Sequence, residues 1–247
     1  EYAFSMCTNL KNLTIPETVE TVGKDAFFNS GWSLQQSSSW KICDGVLLEY
    51  CGEASEIVIP PTVRLIATGF LCSDAAPVSV TLPYGMIRVA DGAFRGCETI
   101  ERVTFSDSVT EIGNAAFQDC TSLKNLVDMN AIQTIGDNAF EGCTSLVNVV
   151  LPDTLTKLGV AAFRSCSGLT AVKFPANLTE LPEEVFHKCV ALSTENGSMD
   201  LSNSSLQIVG GDAFGGCENL DNLTFPACFT TLSANAFYAH VHKQRTV

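Results

Sequence analysis

A phenylalanine returns every 23 residues along much of this chain, and that spacing limits the fold more than any other feature. The ring of an Ala-Phe pair (Val-Phe at 186) falls at Phe4 and Phe27, then at Phe94, Phe117, Phe140, Phe163 and Phe186. Phe214 follows after 28 residues and Phe237 after another 23, while Phe70 stands 24 residues before Phe94. The 43-residue interval from Phe27 to Phe70 is close to two periods and is expected to hold one degenerate copy. A unit of this length cannot bury its own apolar face, so it must stack on copies of itself.

The unit reads C-x-x-L-x-x-[VL]-x-[FLI]-P-x-x-[VL]-x-x-[IL]-G-x-x-A-F-x-x-C. In "LVNVVLP", Val149 and Leu151 alternate with Asn148 and Val150, which is the period of a strand with one buried face. Pro152 ends that strand because it has no N–H to donate. Leu155 and Leu158 bring the chain back to the core across a bend. After the glycine an Asp or Asn often follows (Asp25, Asn114, Asp137, Asp212), the residue type that caps a short helical turn. The sequence therefore predicts a right-handed repeat solenoid of about ten 23-residue units. A short parallel β-sheet forms one face, and turns with short 3₁₀ or helical segments form the other. All of residues 1–247 are expected to belong to one such domain.

The pattern gives way in three places. Residues 31–53, "GWSLQQSSSWKICDGVLLEYCGE", hold both tryptophans and the tight-turn pair Asp44-Gly45, and predict a degenerate repeat that loops off the solenoid. Residues 193–207 add five positions and predict a loop extension. In "NLVDMNAIQ", Asp128 stands where other copies carry Phe or Leu, which predicts a bulge that moves Met129 inward. Both ends fall within a repeat and no polar terminal repeat is evident, as expected for a piece of a longer chain.

"LKNLTIPETVETVGKDAF", "LVNVVLPDTLTKLGVAAFRSC" and "DGVLLEY" resemble the BspA-like leucine-rich repeat family, also called the Treponema pallidum type. The likeness covers almost the whole chain. It implies a curved leucine-rich-repeat solenoid, typically on the surface of, or secreted by, host-associated bacteria and some parasitic protists. It also implies adhesion to host proteins or to other cells. The family has no shared catalytic motif, so it supplies no functional residue.

Eight of eleven cysteines (Cys7, Cys72, Cys97, Cys120, Cys143, Cys166, Cys189, Cys217) occupy or adjoin the closing position of the repeat. Shared phase stacks them in one buried line, where a small thiol packs and donates weakly to a carbonyl. Disulfides along that line and metal ligation are the alternatives; zinc commonly takes a C-x-x-C pair, and no two cysteines are that close. Cys43 and Cys51, which flank "DGVLLEY", are the pair best placed for a disulfide, and whether they are bridged stays open at this point. Cys228 has no assigned role.

Catalytic vocabulary is sparse. There are three histidines, His187, His240 and His242, and no G-x-S-x-G elbow, P-loop or H-E-x-x-H. "HVH" at 240–242 reads as a polar tail rather than a metal site. A formal charge of −13, from 14 basic and 27 acidic residues, argues against a nucleic acid or anionic membrane partner. No apolar run approaches the roughly 20 residues of a membrane span. The opening "EYAFSMC" carries no signal-peptide pattern. Five N-x-[ST] sequons, at Asn12, Asn177, Asn196, Asn203 and Asn222, matter only where the source glycosylates them.

Two outward rows are expected along the sheet. One runs Asn12, Glu56, Ser79, Arg102, Asn125, Asn148, Ala171, Asn222, and the other Thr14, Val58, Thr81, Thr104, Val127, Val150, Lys173, Thr224. Such a low-charge face suits broad contact with a protein or glycan, although Thr and Val are also simply good strand formers. Trp32 and Trp40 are the competing contacts, on the 31–53 excursion. The reading is a non-enzymatic, adhesin-like protein-binding module at the cell surface or outside the cell. It would be monomeric, without cofactor or metal, and would hold a macromolecule of a host or neighbouring cell. A solenoid spacer presenting another domain and an intracellular binding scaffold are the alternatives.

Overall fold

The computed structural model describes residues 1–71, 75–193, 201–202, 204–220 and 223–238. Within these, the 23-residue period becomes a stack of coils, and the phenylalanines form its axis. Phe94, Phe117, Phe140, Phe163, Phe186, Phe214 and Phe237 stack ring on ring, with centroids 4.9 to 5.7 Å apart and planes within 20° of parallel. Phe70 meets Phe94 edge to face at 5.3 Å. Rings from Phe70 to Phe214 are fully buried. Each pair contributes about 0.5–1.5 kcal/mol beyond the area it removes from water.

The segments that carry the rings are turns rather than helical pieces, and their hydrogen bonds show why. The Phe94, Phe117 and Phe140 N–H groups donate to the Ala116, Ala139 and Ala162 carbonyls of the next coil, each at 2.8 Å. Alternate residues reach sideways to a neighbour instead of four back along their own chain, so an α-helix has no donors to form with. Ala115, Asn138 and Ala161 take positive φ (51°, 55°, 55°) to achieve this. A single 3₁₀ turn, Met129–Ala131, occurs among the described residues.

Three-residue strands supply one face. Glu56–Val58, Ser79–Thr81, Arg102–Thr104 and Asn125–Val127 form a four-stranded parallel sheet, and Asn148–Val150 pairs with Ala171–Lys173. Their middle residues point inward: Ile57, Val80, Val103, Val149 and Val172 are buried.

A second set of strands stands where the sequence suggests only a bend. Leu65–Ile66, Arg88–Val89, Glu111–Ile112, Thr134–Ile135, Lys157–Leu158, Glu180–Leu181, Ile208–Val209 and Thr231–Leu232 are two residues long and pair in parallel within their sheets. They mark about eight coils, fewer than the ten expected. The difference arises at the amino-terminal end, where residues 1–30 form turns without a strand and residues 31–53 form no ordinary coil.

Residues 31–53 contain a helix, Gly31–Gln35, and a hairpin, Trp40–Cys43 with Val46–Tyr50. Ser30 caps the helix, its hydroxyl accepting from the Ser33 N–H at 3.2 Å. Asp44 and Gly45, both with positive φ (46° and 75°), make the two-residue turn whose twist suits antiparallel strands. The second hairpin strand also pairs in parallel with Leu65–Ile66, so the hairpin takes the place of a neighbouring coil edge. Behind it, Lys41 Nζ lies 2.6 Å from Glu49 Oε2 across the hairpin and 2.9 Å from Ser33 Oγ. The buried Glu49 carboxylate thus has an ionic partner and the Ser33 hydroxyl, as a buried charge requires.

Asp128 replaces an inward apolar residue and adopts φ 61°, ψ 40°. The chain is thereby turned so that Met129 enters the core in its stead, as the sequence suggests. The proposed extension at 193–207 falls largely outside the described residues.

Candidate partner-binding face

The strand register builds the outward rows residue by residue. Glu56, Ser79, Arg102 and Asn125 are Cα partners in succession, as are Val58, Thr81, Thr104 and Val127. Asn148 pairs with Ala171 and Val150 with Lys173 on the adjoining pair of strands. Arg102, Asn125, Asn148, Val150 and Lys173 are exposed, and Thr104 and Val127 half-buried. Asn12 and Thr14 are exposed but belong to no strand, because the helix and hairpin separate their coil from the sheet. Thr224 is exposed beyond the paired strands, and Asn222 lies outside the described residues.

The tryptophans do not form an exposed contact pair. Trp32 is 8% exposed and packs in the core, because the Gly31–Gln35 helix lays its first turn against it. Trp40 is half-buried, its ring 4.3 Å from that of Tyr50. A loop rich in Gln and Ser reads as an excursion into solvent, but the helix cap at Ser30 folds its first residues inward.

The cysteine line is a row of hydrogen bonds as well as packing. Thiols of Cys120, Cys143, Cys166, Cys189 and Cys217 donate to the carbonyls of Phe94, Phe117, Phe140, Phe163 and Phe186 at 3.0 to 3.2 Å. All five are buried and free. Burial pushes the Cys97 and Cys143 thiols up to about 12 and raises Cys120, Cys166 and Cys217 as well. Such thiols are poor nucleophiles and poor metal ligands, since both tasks need the thiolate. Cys7, at the open first coil, is exposed.

Cys51 is disulfide-bonded whereas Cys43 is a free thiol, so these two cysteines are not bridged to each other. Cys43 pairs with Val46 beside the turn, and Cys51 lies five residues further on, past Tyr50, where its N–H meets the Ser39 carbonyl. Five residues of strand span about 17 Å, far beyond the roughly 6 Å Cα separation of a disulfide.

Among the described residues no group of three or more His, Cys, Asp or Glu side chains is placed to hold a metal ion. His187 sits in a turn, its Nδ1 buried without a hydrogen-bond partner. His240 and His242 lie outside the described residues. No helix among the described residues is long and apolar enough to cross a membrane. What the molecule offers is a largely neutral strand surface on a stack of coils.

Coils that alternate a short parallel strand with a turn, around one buried apolar row, define a leucine-rich-repeat solenoid. The sequence pattern of the BspA type leucine rich repeat region matches residues 1–74, 70–193 and 193–245, in six copies, and the chain belongs to that family. A crystal structure of a T. pallidum leucine-rich repeat protein is similar at 29% identity and a TM-score of 0.66, covering 76% of this chain and 91% of that one. A leucine-rich repeat protein of Eubacterium ventriosum is 26% identical with a TM-score of 0.61, covering 74% of this chain and 48% of its own. One from Bacteroides ovatus, 22% identical with a TM-score of 0.55, shares the fold over 98% of this chain and 73% of its own. No curated protein matches the chain.

Proposed function

We propose that this chain is a non-enzymatic, adhesin-like binding module acting outside the cell, and that its three-residue strand face holds a macromolecular partner. The observation that carries the reading is the face itself. Residues 56–58, 79–81, 102–104 and 125–127 form one continuous parallel sheet whose outward residues include only Glu56 and Arg102 as charges. The chain as a whole carries −13, so its negative charge is concentrated elsewhere. Val58 on that sheet and Val150 on the adjoining strand pair are 68% and 62% exposed, and supply apolar area that a partner can cover. Membership of a leucine-rich-repeat family supports protein binding in general. The disulfide at Cys51 supports an oxidising setting, and with it export.

The test uses matched variants. Val58→Glu with Thr104→Glu changes the face, while Lys157→Glu with Thr231→Glu changes the two-residue strand side. Binding of fluorescent protein to epithelial and bacterial cell surfaces is measured for each. Loss of binding in the face variant alone supports the reading. Equal binding by all three proteins, or loss only in the second variant, overturns it.

A further inference from the structure

Among the described residues, the strand face is interrupted between Asn125–Val127 and Asn148–Val150, and main-chain groups there are left without a cross-strand partner. In each of the other described pairs of neighbouring three-residue strands, two junctions join the coils. At the entry, the Lys124 and Asn125 N–H groups both donate to the Glu101 carbonyl, and the Thr170 N–H donates to that of Val147. At the exit, the Phe105 N–H donates to Val127 and the Leu151 N–H to Lys173, at 2.9 and 3.0 Å. Between Asn125–Val127 and Asn148–Val150 both junctions are missing. The Val147 and Asn148 N–H groups make no bond to the Lys124 carbonyl, nor does the Asp128 N–H bond to that of Val150, and the two strands belong to separate sheets.

Asp128, at the exit of the parted strand, has a left-handed backbone, whereas its counterparts Leu82, Phe105 and Leu151 have no positive φ. The opening is confined to this side of the stack. Thr134–Ile135 still pairs with Lys157–Leu158, and the Phe140 and Phe163 rings still stack at 5.2 Å. The parting also shows in the core: Leu126 is only partly buried, whereas its counterparts Val103, Val149 and Val172 are at 0%, 3% and 0%. Two unpaired strand edges thus lie next to each other between two paired sets of strands. They are flanked by the exposed amides of Asn125 and Asn148 and the valine side chains of 147 and 150.

We propose that this slot between Asn125–Val127 and Asn148–Val150 receives an extended peptide segment of a protein partner, whose main-chain amides satisfy the open edges. The inference rests on the strand face being the binding surface and names the occupant of that face. Unpaired strand groups recognise another peptide backbone, which supplies donors and acceptors at matching intervals. Neutral amides and valines at the rim suit apolar or hydroxyl-bearing side chains in that segment. A polyanion finds no cationic side chain among these rim residues.

The experiment uses a blocked, soluble heptapeptide alternating threonine and valine, the same peptide N-methylated at alternate residues, and a neutral glucan hexasaccharide. Binding to the full chain is read by changes in amide resonances. The expected result is binding of the plain peptide, with the largest shifts at 126–128 and 147–150, at least tenfold weaker binding of the methylated peptide, and none of the sugar. Asp128→Leu, which restores the apolar residue found at 151, is expected to rejoin the strands and weaken the peptide at least tenfold. Thr81→Glu with Thr104→Glu serves as the second variant, away from the slot. Loss in the Thr variant with none in Asp128→Leu overturns the slot and leaves the face reading standing. Unchanged binding in both variants, or no peptide binding at all, overturns both. Binding of the sugar in place of the peptide overturns the peptide as occupant.

Discussion

The thiol of Cys143 donates to the carbonyl oxygen of Phe117 at 3.2 Å, and that same oxygen accepts from the N–H of Cys120, also at 3.2 Å. One carbonyl thus ties together its own coil and the next. Replacing Cys143 by alanine removes the sulfur's packing and its weak hydrogen bond. Urea denaturation is expected to show a loss of about 1–2 kcal/mol.

The buried thiols make the fold sensitive to alkali. A thiol held at about 12 in the folded chain, as at Cys97 and Cys143, ionises near 9.0 once the chain unfolds. Above pH 9 the unfolded state therefore releases protons that the folded state keeps, and stability falls as pH rises. Stability should be flat on this account below about pH 8 and decline steadily between pH 9 and 12. Circular dichroism at fixed urea concentration across that range measures it. A Cys97→Ala, Cys143→Ala double variant should lose less over the same interval.

The hairpin disulfide is separable from the buried line. Nine of the eleven cysteines are free thiols and Cys51 is bonded, while Cys72 lies outside the described residues. Non-reducing peptide mapping is expected to give a bridged peptide containing Cys51 and lacking Cys43. Recovery of a Cys43–Cys51 peptide would contradict the hairpin register.

Close approach of coils fixes the glycine before the ring-bearing turn. A Cβ on Gly159 would lie inside 3.0 Å of the backbone of Gly136 and Asp137 in the neighbouring coil. Gly159→Ala is expected to cost about 1–3 kcal/mol by thermal or chemical unfolding. Gly211→Ala, whose Cβ would meet only the Ala234 oxygen at 3.4 Å, should stay within about 0.5 kcal/mol.

Much of this was legible in the sequence because the period is rigid. The 23-residue return of phenylalanine places the ring stack, and alternation in "LVNVVLP" places Val149 inward and Asn148 and Val150 outward. The two-residue strands such as Lys157–Leu158 were not legible, since two residues carry no alternation to detect. From sequence, Asp or Asn after the glycine reads as a cap on its own turn. Instead the Asp91 carboxylate accepts from the Asn114 N–H, the Asn114 amide oxygen from Asp137, and the Asp137 carboxylate from Val160, at 2.8 to 2.9 Å. Residue type tells that a side-chain oxygen will seek an N–H, not which coil supplies it. Trp32 misled for a similar reason, as polar neighbours in sequence say nothing of the core that a capped helix folds it into. The slot at Asp128 was half visible: the departure from Phe or Leu stood out, but the broken junction with the next coil did not.

The bonds that span coils, from ring to ring, thiol to carbonyl and carboxylate to amide, all reach one period and no further. A gene encoding such a chain can therefore duplicate or delete a whole period without obliging distant residues to change. Only the two coils that newly meet must fit, and they present surfaces of the same pattern. The reach of the contacts, more than their strength, makes the length of this molecule easy to alter in evolution.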